Sequence, residues 1–197
     1  MSAARPARRS GAAFLIAALA AAQGLPQRAL AQEVSFEAAR QGEFITVSAS
    51  AKLHADQRVV WEVLSDYDHL AEFIPGLSSS RVLQRSPDRI LVEQKGEIGF
   101  LIFRQPVDVT FAVLEQPPRR IVSRGVSGDL KEMESRYELQ ASEDGVRLSY
   151  SGRFIPAFAV PPLIGMPIVR SLLERRFRAM VEEIQRREAL ARSKPGP

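Results

Sequence analysis

Chemistry in a protein pocket needs a base, an acid, a nucleophile or a metal held close together, and this sequence supplies few candidates. His54 and His69 are the two histidines, and neither stands at metal-ligand spacing to the other or to a fitting carboxylate. Asp66 and Asp68 flank Tyr67, a pattern suited to turn and capping hydrogen bonds. Glu132, Glu134 and Glu138 share one parity with Arg136 and Gln140, which reads as the wet face of a strand. The chain has no cysteine, so thiol nucleophiles, thiolate metal sites and haem attachment are excluded. No G-x-S-x-G elbow, phosphate-binding loop or dinucleotide fingerprint occurs. These residues assign no catalytic group, no metal and no cofactor. Nothing in them demands an enzyme.

The apolar side chains say more. Tyr137, Tyr150 and Phe154 fall on inner strand positions, where Leu173 and Phe177 of a closing helix can meet them. Ala49 and Ala51, small residues on the inner face of an earlier strand, leave space beside them. Together with Phe73, Phe158 and Met166 they are the candidates for the wall of a ligand cavity. For any one of them the alternative is plain core. The tyrosines are the better clue, because a buried phenol needs a hydrogen-bond partner that a ligand oxygen or water can supply. Residues 154–169, FIPAFAVPPLIGMPIV, are apolar but broken by Pro156, Pro161, Pro162, Gly165 and Pro167. Such a stretch is neither a continuous helix nor a central strand. It is either a buried connection or a gate at a cavity mouth that touches a bilayer and admits a lipid. Arg170, Arg175, Arg176 and Arg178 lie just beyond, placed either for lipid phosphates or as a solvated helix face.

These residues require particular elements to hold them. Residues 32–41 read as a polar lead-in. From Glu43 the period becomes two, with Ile45, Val47, Ala49, Ala51 and Leu53 on one face. Asp56 is placed to cap a helix whose apolar stripe is Val60, Val63, Leu64 and Tyr67. A break at residues 66–68 separates it from a short second helix, which Pro75-Gly76 ends. Strands follow over residues 79–85, 89–98, 101–114, 120–126, 131–141 and from Val146, with Pro106 marking an edge, a bulge or a break. Pro167 suits the start of a long helix with Val169, Leu172, Leu173, Phe177, Met180 and Ile184 on its apolar stripe. Such a chain is α+β, an antiparallel sheet whose dry face the last helix covers.

The stretch VVWEVLSDYDHLAEFIPG, residues 59–76, resembles the opening signature of the START-like, or SRPBCC, superfamily. Within it the resemblance is to the polyketide cyclase/dehydrase and lipid-transport branch, which includes coenzyme-Q-binding START-domain proteins. The matching positions are Asp56, Val60-Trp61, Leu64, Asp66-Tyr67 and Phe73-Ile74-Pro75-Gly76, and the order of elements from Glu43 to Ala191 agrees. The resemblance implies a helix-grip fold, a curved antiparallel sheet wrapped around a long C-terminal helix with a ligand cavity between them. It implies a hydrophobic small molecule, a lipid, a quinone or a similar compound, as partner. A cyclase/dehydrase-type enzyme would use the same cavity.

Apolar content of 45% and charged content of 25% in 197 residues are ordinary for one globular domain. The formal charge of +4 is local. Arg5, Arg8, Arg9 and Arg28 lie in the first 31 residues, which hold no acid; without them 23 of the 27 basic residues balance the 23 acidic ones. Nucleic acid is therefore not an expected partner. The same arginines precede the short apolar run GAAFLIAALAAA and an A-x-A site at Ala29-Leu30-Ala31, the pattern of a signal peptide. That run is too short to cross a bilayer, which takes about 20 residues. The expected organisation is a signal peptide over 1–31, a lead-in over 32–42, a START-like domain over 43–192 and a tail over 193–197. Cleavage near Ala31 would release a periplasmic or secreted binding protein, with transient membrane contact during ligand exchange.

Overall fold

Strict alternation sets the first long strand: Ile45, Val47, Ala49, Ala51 and Leu53 are all buried while Ser48 and Lys52 between them face water. In the computed structural model, which describes residues 33–100, 103–160 and 165–193, this strand is β2, Phe44–Leu53. The expected signal peptide, residues 161–164 of the proline-rich stretch and the tail from residue 194 lie outside the described residues.

Eight strands form one antiparallel sheet in the order β1-β2-β8-β7-β6-β5-β4-β3. The strands are β1 Val34–Gln41, β2, β3 Leu77–Arg85, β4 Ile90–Phe100, β5 Phe103–Gln116, β6 Arg120–Gly128, β7 Leu130–Ser142 and β8 Gly145–Pro156. The helices are α1 Gln57–Leu64, α2 Leu70–Phe73 and α3 Gly165–Ser193. Because β2 lies beside one edge and β3 forms the other, α1 and α2 carry the chain across the width of the sheet. α3 then packs its apolar stripe on the dry face. Val169, Leu172, Phe177, Met180, Val181 and Ile184 are buried along it, each contributing about 1.5–3 kcal/mol of apolar burial.

The polar lead-in is corrected by the structure. Val34–Gln41 is a full strand, paired with β2 from Val34↔Ala51 to Gln41↔Phe44 through a turn at Gly42, whose φ of 63° suits glycine. Val34, Phe36 and Ala38 face inward, but as an edge strand its second half is exposed and its apolar pattern is weak. Pro106 behaves as an edge residue. It pairs with Glu97 of β4, while the pairing of β5 with β6 begins only at Val109, so its missing N–H is not needed.

The cap expected of α1 is present, and a contact from α3 joins it. The Arg58 amide donates to Asp56 Oδ1 at 2.7 Å, and the Asp56 amide donates to Glu188 Oε2 of α3 at 3.0 Å. Asp66 and Asp68 do more than shape a turn. Asp66 pairs with His69 at 2.6 Å and with Arg187 of α3 at 2.8 Å, and Asp68 accepts the Val82 amide of β3 at 2.7 Å. The break between the helices is thus bolted to both layers.

Candidate functional site

Between the sheet and α3 lies a cavity of about 250 Å³. The inner parity of five neighbouring strands forms its floor: Val92 of β4, Val109, Phe111 and Val113 of β5, Ile121 of β6, Tyr137 of β7 and Tyr150 of β8. Leu64, Leu70 and Ile74 enter from the crossing helices, and Leu173, Arg176, Phe177 and Met180 form the roof from α3. The lower end of the drug-sized pocket range is about 300 Å³, so this space suits one chain or one compact ring system.

Tyr137 and Tyr150 are a direct cross-strand pair, which brings their rings to 4.8 Å between centroids with a tilt of 48°. Burial pushes both phenols above their ordinary range, so both stay protonated donors. For Tyr150 a hydrogen bond to Ser135 partly offsets that rise. Gly152 makes this possible, because a Cβ there would crowd both the Tyr150 hydroxyl and Ser135. Tyr67 also lines the cavity and donates to Glu115 Oε1 at 2.8 Å.

Arg176 is the one charged side chain among the described residues that line the cavity. Its Nε donates to the Pro75 carbonyl at 3.0 Å and its Nη2 to the Gly76 carbonyl at 3.1 Å, so it ties α3 to the turn that ends α2. Gly76 needs its φ of 70° here, and Gly96 of β4 packs directly on its carbonyl. Burial lowers the Arg176 pKa from its ordinary value.

The structure gathers Tyr137, Tyr150, Phe154, Leu173 and Phe177 on the cavity wall. It places the other candidates elsewhere. Ala49 and Ala51 are buried in the main core, Phe73 packs at its margin, and Met166 packs on the smaller cluster of Ile45, Val47 and Val169. Phe158 is half-buried on the segment after β8. Sequence reasoning missed the β5 residues as wall, although their alternation is clean. It also left Arg176 among its neighbours. Those neighbours have surface roles: Arg178 pairs with Glu174 at 2.8 Å, and Arg175 donates to Ser171. No cluster of His, Asp and Glu fit for a metal occurs among the described residues.

Residues 53–182 match the family described as polyketide cyclase / dehydrase and lipid transport. The chain belongs to this family. No curated protein matches the sequence. Solved structures with a similar fold include the STAR-related lipid transfer protein of Xanthomonas axonopodis, with TM-score 0.61 and 13% identity over 77% of this chain and 93% of that one. The Zhui aromatase/cyclase of a Streptomyces species has TM-score 0.58 and 17% identity over 79% and 96%. Human STARD10 has TM-score 0.60 and 10% identity over 77% and 69%. At such identities the likeness establishes the fold, the START or helix-grip fold: eight curved antiparallel strands and a long C-terminal helix. In this polyketide cyclase/dehydrase and lipid-transport family member, the cavity lies where that fold leaves space between sheet and helix.

Proposed function

We propose that the chain is an exported binding protein that holds an apolar small molecule between its sheet and α3. The carrying observation is the 250 Å³ cavity, whose described wall is mostly Val, Ile, Leu, Phe and Met with a few phenol, hydroxyl and amide groups and one guanidinium. The signal-peptide pattern of residues 1–31 supports export, and cleavage after Ala31 would place the binding protein in a periplasm or outside the cell. Fatty acyl compounds and quinones are the ligand classes that fit an apolar cavity with few polar anchors. Ligand exchange would involve brief contact with a membrane at the proline-rich segment after β8, and nucleic acid has no part in the reading. The test is to purify the native protein without detergent, extract it with organic solvent and identify the extract by mass spectrometry. One apolar compound in stoichiometric amount is the expected result. An empty extract, together with no uptake of a fluorescent fatty acid or quinone analogue, overturns the proposal.

Tyr137, Tyr150 and Ser135 at one cavity wall favour a second reading, a cyclase/dehydrase that folds a reactive chain. Such catalysis draws on positioning rather than on a strong nucleophile. Formation of an aromatic product from a linear polyketide thioester would support it; release of the unchanged chain would leave binding as the function.

A further inference from the structure

Arg176 is out of keeping with the cavity it lines. Acidic side chains are plentiful on α3, yet each arginine that pairs with one there, Arg178, Arg186, Arg187 and Arg192, lies off the cavity wall. Arg176 has no carboxylate partner among the described residues, and two backbone carbonyls take part of its five-donor fork. Arg176 is half-buried, a guanidinium at an apolar wall is stabilised by an anion, and its remaining N–H groups can hold both oxygens of a carboxylate. Tyr137 and Tyr150, both protonated donors, line the same cavity as Arg176. The charge sits toward the Gly76–Gly96 end, while the wall formed by β5, with Ile121 of β6, is apolar.

Building on the binding function proposed above, we infer that the ligand is a single-chain amphipathic carboxylate, with its head on Arg176 and its apolar body against Val109, Phe111, Val113 and Ile121. A cavity of about 250 Å³ fits one chain better than two, and the single positive charge matches a single negative one. A neutral quinone would leave the guanidinium without its anion.

The probes are decanoate, its methyl ester and decyl phosphate, with affinities measured by calorimetry at neutral pH. Wild type should bind decanoate about tenfold to a hundredfold more tightly than the ester, the span expected of a hydrogen-bonded ion pair over a neutral contact. The preference should disappear in acid as the ligand carboxylate is protonated, a readout that needs no variant. Arg176→Met should remove the preference while keeping ester binding, and Arg176→Lys should keep part of it. A structural role for Arg176 alone would weaken both ligands equally and leave their ratio unchanged, which overturns the inference. Equal binding of acid and ester by wild type also overturns it while sparing the binding function, and tighter binding of decyl phosphate overturns the carboxylate assignment. Binding of none of the probes overturns the carboxylate assignment, and the solvent extract then decides the binding function by itself.

Discussion

At the scale of single residues, two carboxylates of the α1–α2–α3 junction make measurable predictions. Glu183 is 8% exposed, and Arg186, with Arg187 behind it, holds its pKa down to about 2 against the cost of burial. The folded value lies below the unfolded one, so Glu183 stabilises the protein above about pH 4.5 and loses that effect as pH falls toward 2. Glu183→Gln should cost about 2 kcal/mol in urea denaturation at pH 7, and the gap between variant and wild type should narrow at pH 3. A gap independent of pH would mean that packing, not charge, is lost. His69 is exposed, and its hydrogen bond to Asp66 raises its pKa. In Asp66→Asn the imidazole resonances should titrate at lower pH than in wild type, as followed by NMR.

At the scale of elements, β2 and β5 present similar alternating faces but line the cavity unequally: among the described residues β2 contributes Val47, and β5 contributes Val107, Val109, Phe111 and Val113. Ala49 of β2 is opposite Tyr150 of β8 and is buried off the cavity wall, whereas Val109 of β5 lines the cavity. Ala49→Phe should therefore overpack and destabilise by about 1–3 kcal/mol. Val109→Phe should fill empty volume, leave the denaturation midpoint nearly unchanged and abolish uptake of a fluorescent fatty acid. The reverse pattern would place the ligand near β2 and away from β5.

At the scale of the whole molecule, the charge of the chain is divided. The first 31 residues carry four arginines and no acid, and the remainder is neutral in formal charge. If these residues are a signal peptide, intact-mass measurement of protein from the native host should show a chain beginning at Gln32. A mass that includes Met1 would remove the case for export.

Short-range rules were enough for much of this protein. Period two in residues 44–53, 131–141 and 146–154, the Asp56 cap and the stripe from Val169 to Ile184 are properties of neighbouring residues, so they could be read directly. The same alternation placed Tyr137 and Tyr150 on the inner face. The lead-in escaped because an edge strand buries only half a pattern, and its partner lies beyond the turn. Whether an inward residue meets core or empty space is not local at all. It depends on how far sheet and α3 stand apart at that point, and this separates Ala49 from Val109. Arg176 is the clearest case. The helical period puts Arg176 on the apolar stripe, seven residues after Val169 and four before Met180, and Arg175 and Arg178 off it, but it does not say what that guanidinium meets there. Only the docking of α3 against the Pro75–Gly76 turn puts that guanidinium on the cavity wall and its neighbours in water.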